Sequence, residues 1–163
     1  MSEQPNGERV WDIIDKVGVC MLTTQAAGRL RARPIEARPD RKAGLIFAVT
    51  DVHSAKQDEI EAAPDVGLVF IDAKAKAYLS ITARARVMRD TAKIAQIWRK
   101  TDEVWWPEGP SDPNVCLLRI EPLGAELWDG PASTARTVFE FAKAWLTGEE
   151  PNLGENRKVT VAM

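Results

Sequence analysis

The chain has 163 residues, 45% of them hydrophobic and 28% charged, with a formal net charge of −2. That size and composition describe one globular domain that can bury its core without disulfides or metal, and they exclude a globally basic nucleic-acid binder. No run approaches the roughly 18 apolar residues of a membrane-spanning helix, and the polar, acidic opening Met1–Glu8 does not read as a signal peptide, so a cytoplasmic protein is expected.

Residues 1–8 read as a disordered lead. Val10, Ile13, Ile14 and Val17 recur at i, i+3, i+4, i+7 and predict an amphipathic helix from about Glu8, which Gly18 breaks. A short apolar strand, Val19–Thr24, leads through a turn at Gln25–Gly28 into an alternating strand, Arg29–Arg38. After a turn at Pro39–Gly44, Leu45–Thr50 reads as a buried strand. Ser54 followed by Gln57 has the capping-box pattern and opens a short helix that Pro64 ends. Val66–Ile71 is the next strand. Lys76–Arg89 alternates throughout, with Leu79, Ile81, Ala83, Ala85 and Val87 on one face and Tyr78, Ser80, Thr82, Arg84 and Arg86 on the other.

Asp90 caps a helix carrying Ile94, Ile97 and Trp98, and a Pro/Gly/Asp-rich loop follows at Trp105–Pro113. Val115–Trp128 is a long strand with Pro122 at an edge or bulge position. Val138, Phe141, Ala142 and Trp145 form a helical stripe, and residues 148–163 are a polar, partly disordered tail with a short strand at Lys158–Val161. Cys20 and Cys116 stand in apolar runs and predict buried thiols rather than a disulfide. The pattern gives a mainly β (α+β) fold: six antiparallel strands forming a sheet or small barrel, helices outside, in a single domain over residues 9–147.

The glycine spacings contain neither G-x-G-x-x-G nor a P-loop, and His53 is the single histidine, read as an exposed loop residue. A His-based metal site or a Ser-His-Asp triad built elsewhere is therefore excluded, and any chemistry belongs to a bound cofactor. Three constellations remain. Arg29, Arg31 and Arg33 share one strand face, either solvated or an anion site suited to bidentate phosphate contact. Thr50 through Lys56 joins a strand end to a helix N-terminus, with hydroxyls at Thr50 and Ser54 and a cation at Lys56, a place that suits a phosphate as well as a plain cap. Trp98, Trp105, Trp106 and Trp128 pack a core or meet a flat ligand or a partner.

Together these pieces resemble the pyridoxamine 5′-phosphate oxidase-like FMN-binding split barrels, in their general stress protein branch. The motifs are Arg33-Pro34-Ile35, Phe47–Thr50 with Ser54-x-Lys56, Tyr78–Val87 followed by Asp90, Trp98 with Trp105–Gly109 and Asp112-Pro113, and Ala125–Asp129, covering roughly residues 9–130. The resemblance implies a six-stranded split β-barrel and a homodimer with FMN at the subunit interface. It implies that Arg33 and Lys56 are the phosphate cations, with Ser54 as hydroxyl partner. It implies that the strand ends 33–35 and 48–50, including Pro34, Ile35, Val49 and Thr50, line the flavin ring. Trp128, Tyr78 and Ser80 match positions that approach the flavin from the second subunit.

Ile35 replaces the family's usual Met, and Ala83 stands where relatives have Gly, which strains the strand if that position needs positive φ. No C-terminal Arg-x-His is present to hold pyridoxal phosphate, so the oxidase activity itself is not expected. The implied function is an FMN-binding flavoprotein, a flavin-dependent oxidoreductase. The alternatives are a non-enzymatic flavin-sequestering stress module, or the same barrel holding FAD or a deazaflavin of the F420 type in a groove widened by Arg29, Arg31, Arg38 and Lys42. Haem fits poorly, with His53 alone to ligate it. Neither nucleic acid nor membrane is an expected partner.

Overall fold

In a computed structural model, residues 4–129, 134–151 and 155–159 are described. Helix α1 (Gln4–Val17) starts four residues ahead of the expected Glu8 and takes in part of the expected lead, whose residues 1–3 lie outside the described residues. Its stripe is as the spacing predicts: Val10, Ile13 and Ile14 are fully buried. Gly18, at φ +71°, ends it by returning its amide to the Ile14 carbonyl at 3.0 Å.

Strands β1 (Val19–Ala26) and β2 (Arg29–Glu36) form the expected hairpin, with Ala26 opposite Arg29. Only Ala27 and Gly28 lie between, both at positive φ, the geometry of a two-residue primed turn. The expected strand 29–38 is broken at Ala37. β3 (Arg38–Asp40) leaves β2 and pairs instead with β4 (Leu45–Asp51). Then come α2 (Ala55–Ala62), β5 (Asp65–Asp72), β6 (Ala77–Met88), α3 (Thr91–Ile97), a 3-10 turn (Lys100–Val104), β7 (Val115–Asp129), α4 (Thr134–Thr147) and β8 (Glu155–Val159). The expected terminal strand at 158–161 is this β8, three residues earlier, with 160–161 outside the described residues.

Every described pairing is antiparallel, and the sheet runs β2-β1-β5-β6-β7-β4-β3 with β8 added to β7. The described sheet therefore has eight strands: the six expected in the barrel, the terminal β8 and, as the addition, β3. The two ends of the path, β2 and β3, are joined through Ala37 alone, so the sheet must curl on itself. No ladder pairs β2 with β3 among the described residues, and the barrel is split at that seam.

The interior follows from alternation. Leu79, Ile81, Ala83 and Ala85 of β6 point inward and are buried with Leu22, Ile46, Leu68, Phe70, Leu118 and Ile120. Burial pushes the Cys20 thiol up to about 12 and raises Cys116 as well, so both cysteines behave as inert apolar side chains. Ala83 carries no positive φ; it sits beside the register shift between Thr82 and Ala83, opposite Pro122. The strain expected of Ala83 is absent because the bulge inserts Leu123 into β7, leaving Ala83 in ordinary strand geometry.

A second apolar cluster lies outside the barrel, where Phe47, Ile94, Val115 and Leu117 meet Trp98 and Trp106. The two tryptophan rings are 6.2 Å apart and tilted by 54°. Both are thus packed on the chain's own barrel, while Trp105 is 76% exposed. A buried ion pair pins this layer: Arg38 donates to Asp102 at 2.8 and 2.6 Å and to the Ile97 carbonyl at 2.9 Å.

Burial pushes the Asp102 carboxyl up, but hydrogen bonds from Arg38 and the Arg99 amide outweigh it and hold the group below its ordinary value. A carboxyl lowered by folding stabilises the fold fully above its unfolded value, about 3.9, and loses that contribution as pH falls through the folded value. Asp102→Asn should therefore lower stability at neutral pH by up to about 3 kcal/mol, the low end of the cost of breaking a buried pair, because Glu36 still faces Arg38 at 3.0 Å. It should also flatten the acid limb of stability against pH, as read by urea unfolding across a pH series. A variant as stable as the parent chain would remove Asp102 from the account.

Candidate functional site

The predicted cations are brought together at the end of the barrel that α2 covers. Arg31 and Arg33 lie opposite Thr24 and Leu22 in the β1/β2 ladder, so they share the inward face of the hairpin. Arg33 Nη2 donates to Thr24 Oγ1 at 2.8 Å and to Glu59 Oε2 at 2.5 Å. Arg31 Nη1 donates to Glu59 Oε1 at 2.7 Å. Thr24 Oγ1 also donates to Glu59 Oε2, at 2.5 Å. The run of arginines is thus not merely a solvated face: Arg29 and Arg31 are exposed, yet Arg31 and the less exposed Arg33 converge on one buried carboxylate. Burial raises the Glu59 carboxyl, and the bonds from Thr24 and Arg33 more than reverse this, so it titrates below its ordinary value.

Lys56, in the first turn of α2, is half-buried beside this cluster. Burial, followed by repulsion from Arg33, pushes its ammonium below the usual lysine range. Ser54 stands at the N-cap of α2 as expected, but its side chain makes no capping hydrogen bond. The predicted capping box therefore does not form: the Gln57 amide returns to the Ser54 carbonyl, at 3.0 Å, and Ser54 Oγ is buried with no partner. Arg33 Nη1 and Gln57 Oε1 are likewise buried and unpartnered. Buried polar groups normally find partners. Two unsatisfied donor-capable groups beside a desolvated ammonium at a helix N-terminus form a cradle with the chemistry of a phosphate site.

The strand ends expected to line a ring belong to β2 and β4. β2 and β4 touch across the seam. Ile35 and Thr50 are buried, Val49 is half-buried and Pro34 is exposed. The turn from β4 to α2 is fixed by Asp51, whose Oδ1 accepts from the His53 amide at 2.7 Å, while the Val52 amide donates to the Asn114 carbonyl at 2.8 Å.

Tyr78, Ser80 and Trp128 do not join this group within one chain. Tyr78 and Trp128 are direct cross-strand neighbours on the outer face of β6 and β7. Ser80 follows from Pro34 by the steps Met21 and Val69 along one row, which places them three strand spacings, about 14 Å, apart. That outer face carries several exposed apolar side chains, Met21, Leu30, Val69, Ile71, Tyr78 and Trp128.

Two readings of the sequence are corrected here. Arg38, counted toward a wide cationic groove, is spent on Asp102, and Arg31 is spent on Glu59, which leaves Arg29 and Lys42 of that set. Thr24 and Glu59 were not singled out, although Glu59 precedes the buried Ile60 on α2 and faces inward with it. A separate cavity of about 550 Å³ touches the far end of α2, at Ile60, Pro64, Arg84, Arg86, Arg119 and Glu121. Its Arg119 pairs with Glu121 at 2.9 Å and its Arg84 with Asp65 at 3.1 Å, and no predicted site residue lines it.

Residues 6–152 match the family described as pyridoxamine 5′-phosphate oxidase like. General stress protein 26 of Bacillus subtilis (strain 168) is 28% identical over 138 residues, covering 82% of this chain and 96% of that protein. The crystal structure of a general stress protein 26 from Jannaschia sp. CCS1 is similar with a TM-score of 0.78 at 27% identity, covering 98% of this chain and 99% of that one. That of the general stress FMN/FAD binding protein from Xanthomonas citri is similar with a TM-score of 0.72 at 24% identity, covering 80% and 92%.

Proposed function

The chain belongs to the pyridoxamine 5′-phosphate oxidase-like family, and from that premise we propose that it is an FMN-binding flavoprotein that serves as a flavin-dependent oxidoreductase. One observation carries the ligand class. Arg33 Nη1 and Ser54 Oγ are buried without partners next to the desolvated Lys56, at the N-terminus of α2. A phosphate monoester satisfies all three groups at once. The Xanthomonas citri protein, named for FMN or FAD binding, points to the same class of ligand.

In this reading Arg33, Ser54 and Lys56 hold the phosphate. Pro34, Ile35, Val49 and Thr50 present the strand ends against which the ring rests. Bound FMN supplies hydride and electron transfer, and the chain's own residues bind it, orient it and keep water from its phosphate. FMN fits better than a larger nucleotide cofactor, because two of the four cations available to widen the groove are tied to Glu59 and Asp102.

The site draws on a second copy of the chain. Tyr78, Ser80 and Trp128 stand on an exposed apolar sheet face that a partner barrel covers, and in the dimer they close the partner's flavin site. Contiguous exposed apolar surface of this kind marks an association face. Sedimentation of the full chain at micromolar concentration should give a dimer mass, and Trp128→Asp should shift it toward monomer; a monomeric parent chain would contradict this arrangement.

Lys56→Glu should weaken FMN binding by at least roughly thirtyfold, since it replaces a half-buried cation of the cradle with an anion. Flavin retained after desalting, seen by its visible absorption, is the readout. Because the Lys56 ammonium titrates below the ordinary lysine value, affinity should fall as pH rises through that lowered value. FMN held as tightly by Lys56→Glu as by the parent chain would remove the phosphate assignment.

A further inference from the structure

We propose that Glu59 is the positioning residue of the anion site: its carboxylate fixes Arg31 and one edge of Arg33, so that the other edge of Arg33 is presented to a phosphate-bearing ligand beside Lys56. The inference rests on the phosphate reading given above and adds what holds that site in shape.

Glu59 is 7% exposed and Thr24 1%. Glu59 Oε1 accepts from Arg31, while Oε2 accepts from both Arg33 and Thr24. Thr24 Oγ1 accepts from Arg33 Nη2, so its single proton is free to go to Glu59. Arg33 Nη2 thus has an acceptor for each of its hydrogens, and Nη1 has none although it is buried. Two arginines two residues apart on one strand face repel each other, and each long side chain has many rotamers to lose. Glu59 answers both problems, because it neutralises one charge and ties down both guanidinium groups. A buried anion repels a phosphate from direct contact, so Glu59 acts through Arg33 rather than on the ligand.

The same carboxylate reaches Lys56. Burial and Arg33 lower the ammonium, whereas Cys116, Asp51 and Glu59 raise it. Removing the charge of Glu59 while keeping its length therefore lowers Lys56 further.

The test uses the full chain with inorganic phosphate as probe, followed by calorimetry and by backbone amide shifts at residues 54–57. Glu59→Asp keeps the charge but shortens the reach, and Thr24→Val removes the bridging hydroxyl with no change of charge. Each should weaken phosphate binding about tenfold, the scale of one lost hydrogen bond to a charged group. Glu59→Gln should move the alkaline loss of phosphate binding to lower pH, a displacement that a merely structural side chain would not produce. Should Glu59→Asp fail to fold, Thr24→Val carries the positioning test. Folded Glu59→Asp and Thr24→Val proteins that bind phosphate like the parent, or an alkaline limb unmoved in Glu59→Gln, would overturn the role. A parent chain that binds phosphate but not FMN sinks the flavin reading and leaves the role of Glu59 to be decided by these variants. A parent chain that binds no phosphate sinks both.

Discussion

The structure depends on a closure constraint set by one residue. β2 and β3 are the two ends of the sheet path, yet only Ala37 separates them along the chain. A flat sheet of that strand order would hold its ends several strand spacings apart, so the sheet has to curl until they meet. Ala37 is buried at that corner, and its amide donates to the Gly18 carbonyl at 2.7 Å, tying the corner to the start of β1. Arg38, the next residue, anchors the same corner to the 98–104 segment through Asp102. The barrel is thus split at this seam, with Arg38 at its edge tied to the 100–104 turn by a buried ion pair.

The candidate site is a consequence of that seam. Because the sheet curls, the inward face of β2 comes under α2, and Arg31 and Arg33 meet Glu59 from a helix more than twenty residues away. β2 also touches β4 across the seam. The opposite side of the sheet carries exposed apolar side chains, among them Met21, Val69, Ile71, Tyr78 and Trp128.

Much of the fold was legible because its periodicities are strong. The α1 stripe and the twelve-residue alternation of β6 each admit one reading, and the structure keeps both. Asp90 caps α3 by accepting from the Lys93 amide, as its position suggested. The break at Ala37 was not legible, because the alternation of Arg29–Arg38 continues through it. Ser54 was legible as an N-cap but not as an uncapped hydroxyl, since the capping-box spacing is satisfied and only tertiary surroundings decide against it. Glu59 was missed for a similar reason: its partners are Thr24, Arg31 and Arg33, and no local pattern ties a helical glutamate to a distant hairpin. Arg38 was misread as a groove cation because its partner Asp102 stands 64 residues away.

The central claim is that this seam holds a phosphate-bearing flavin by its phosphate. The most direct measurement compares the affinity of the full chain for FMN and for riboflavin, which share the ring and differ in the phosphate. The account predicts that FMN binds far more tightly, because riboflavin leaves Arg33 Nη1, Ser54 Oγ and Lys56 unsatisfied. Equal affinities, or no binding of FMN at all, would contradict it.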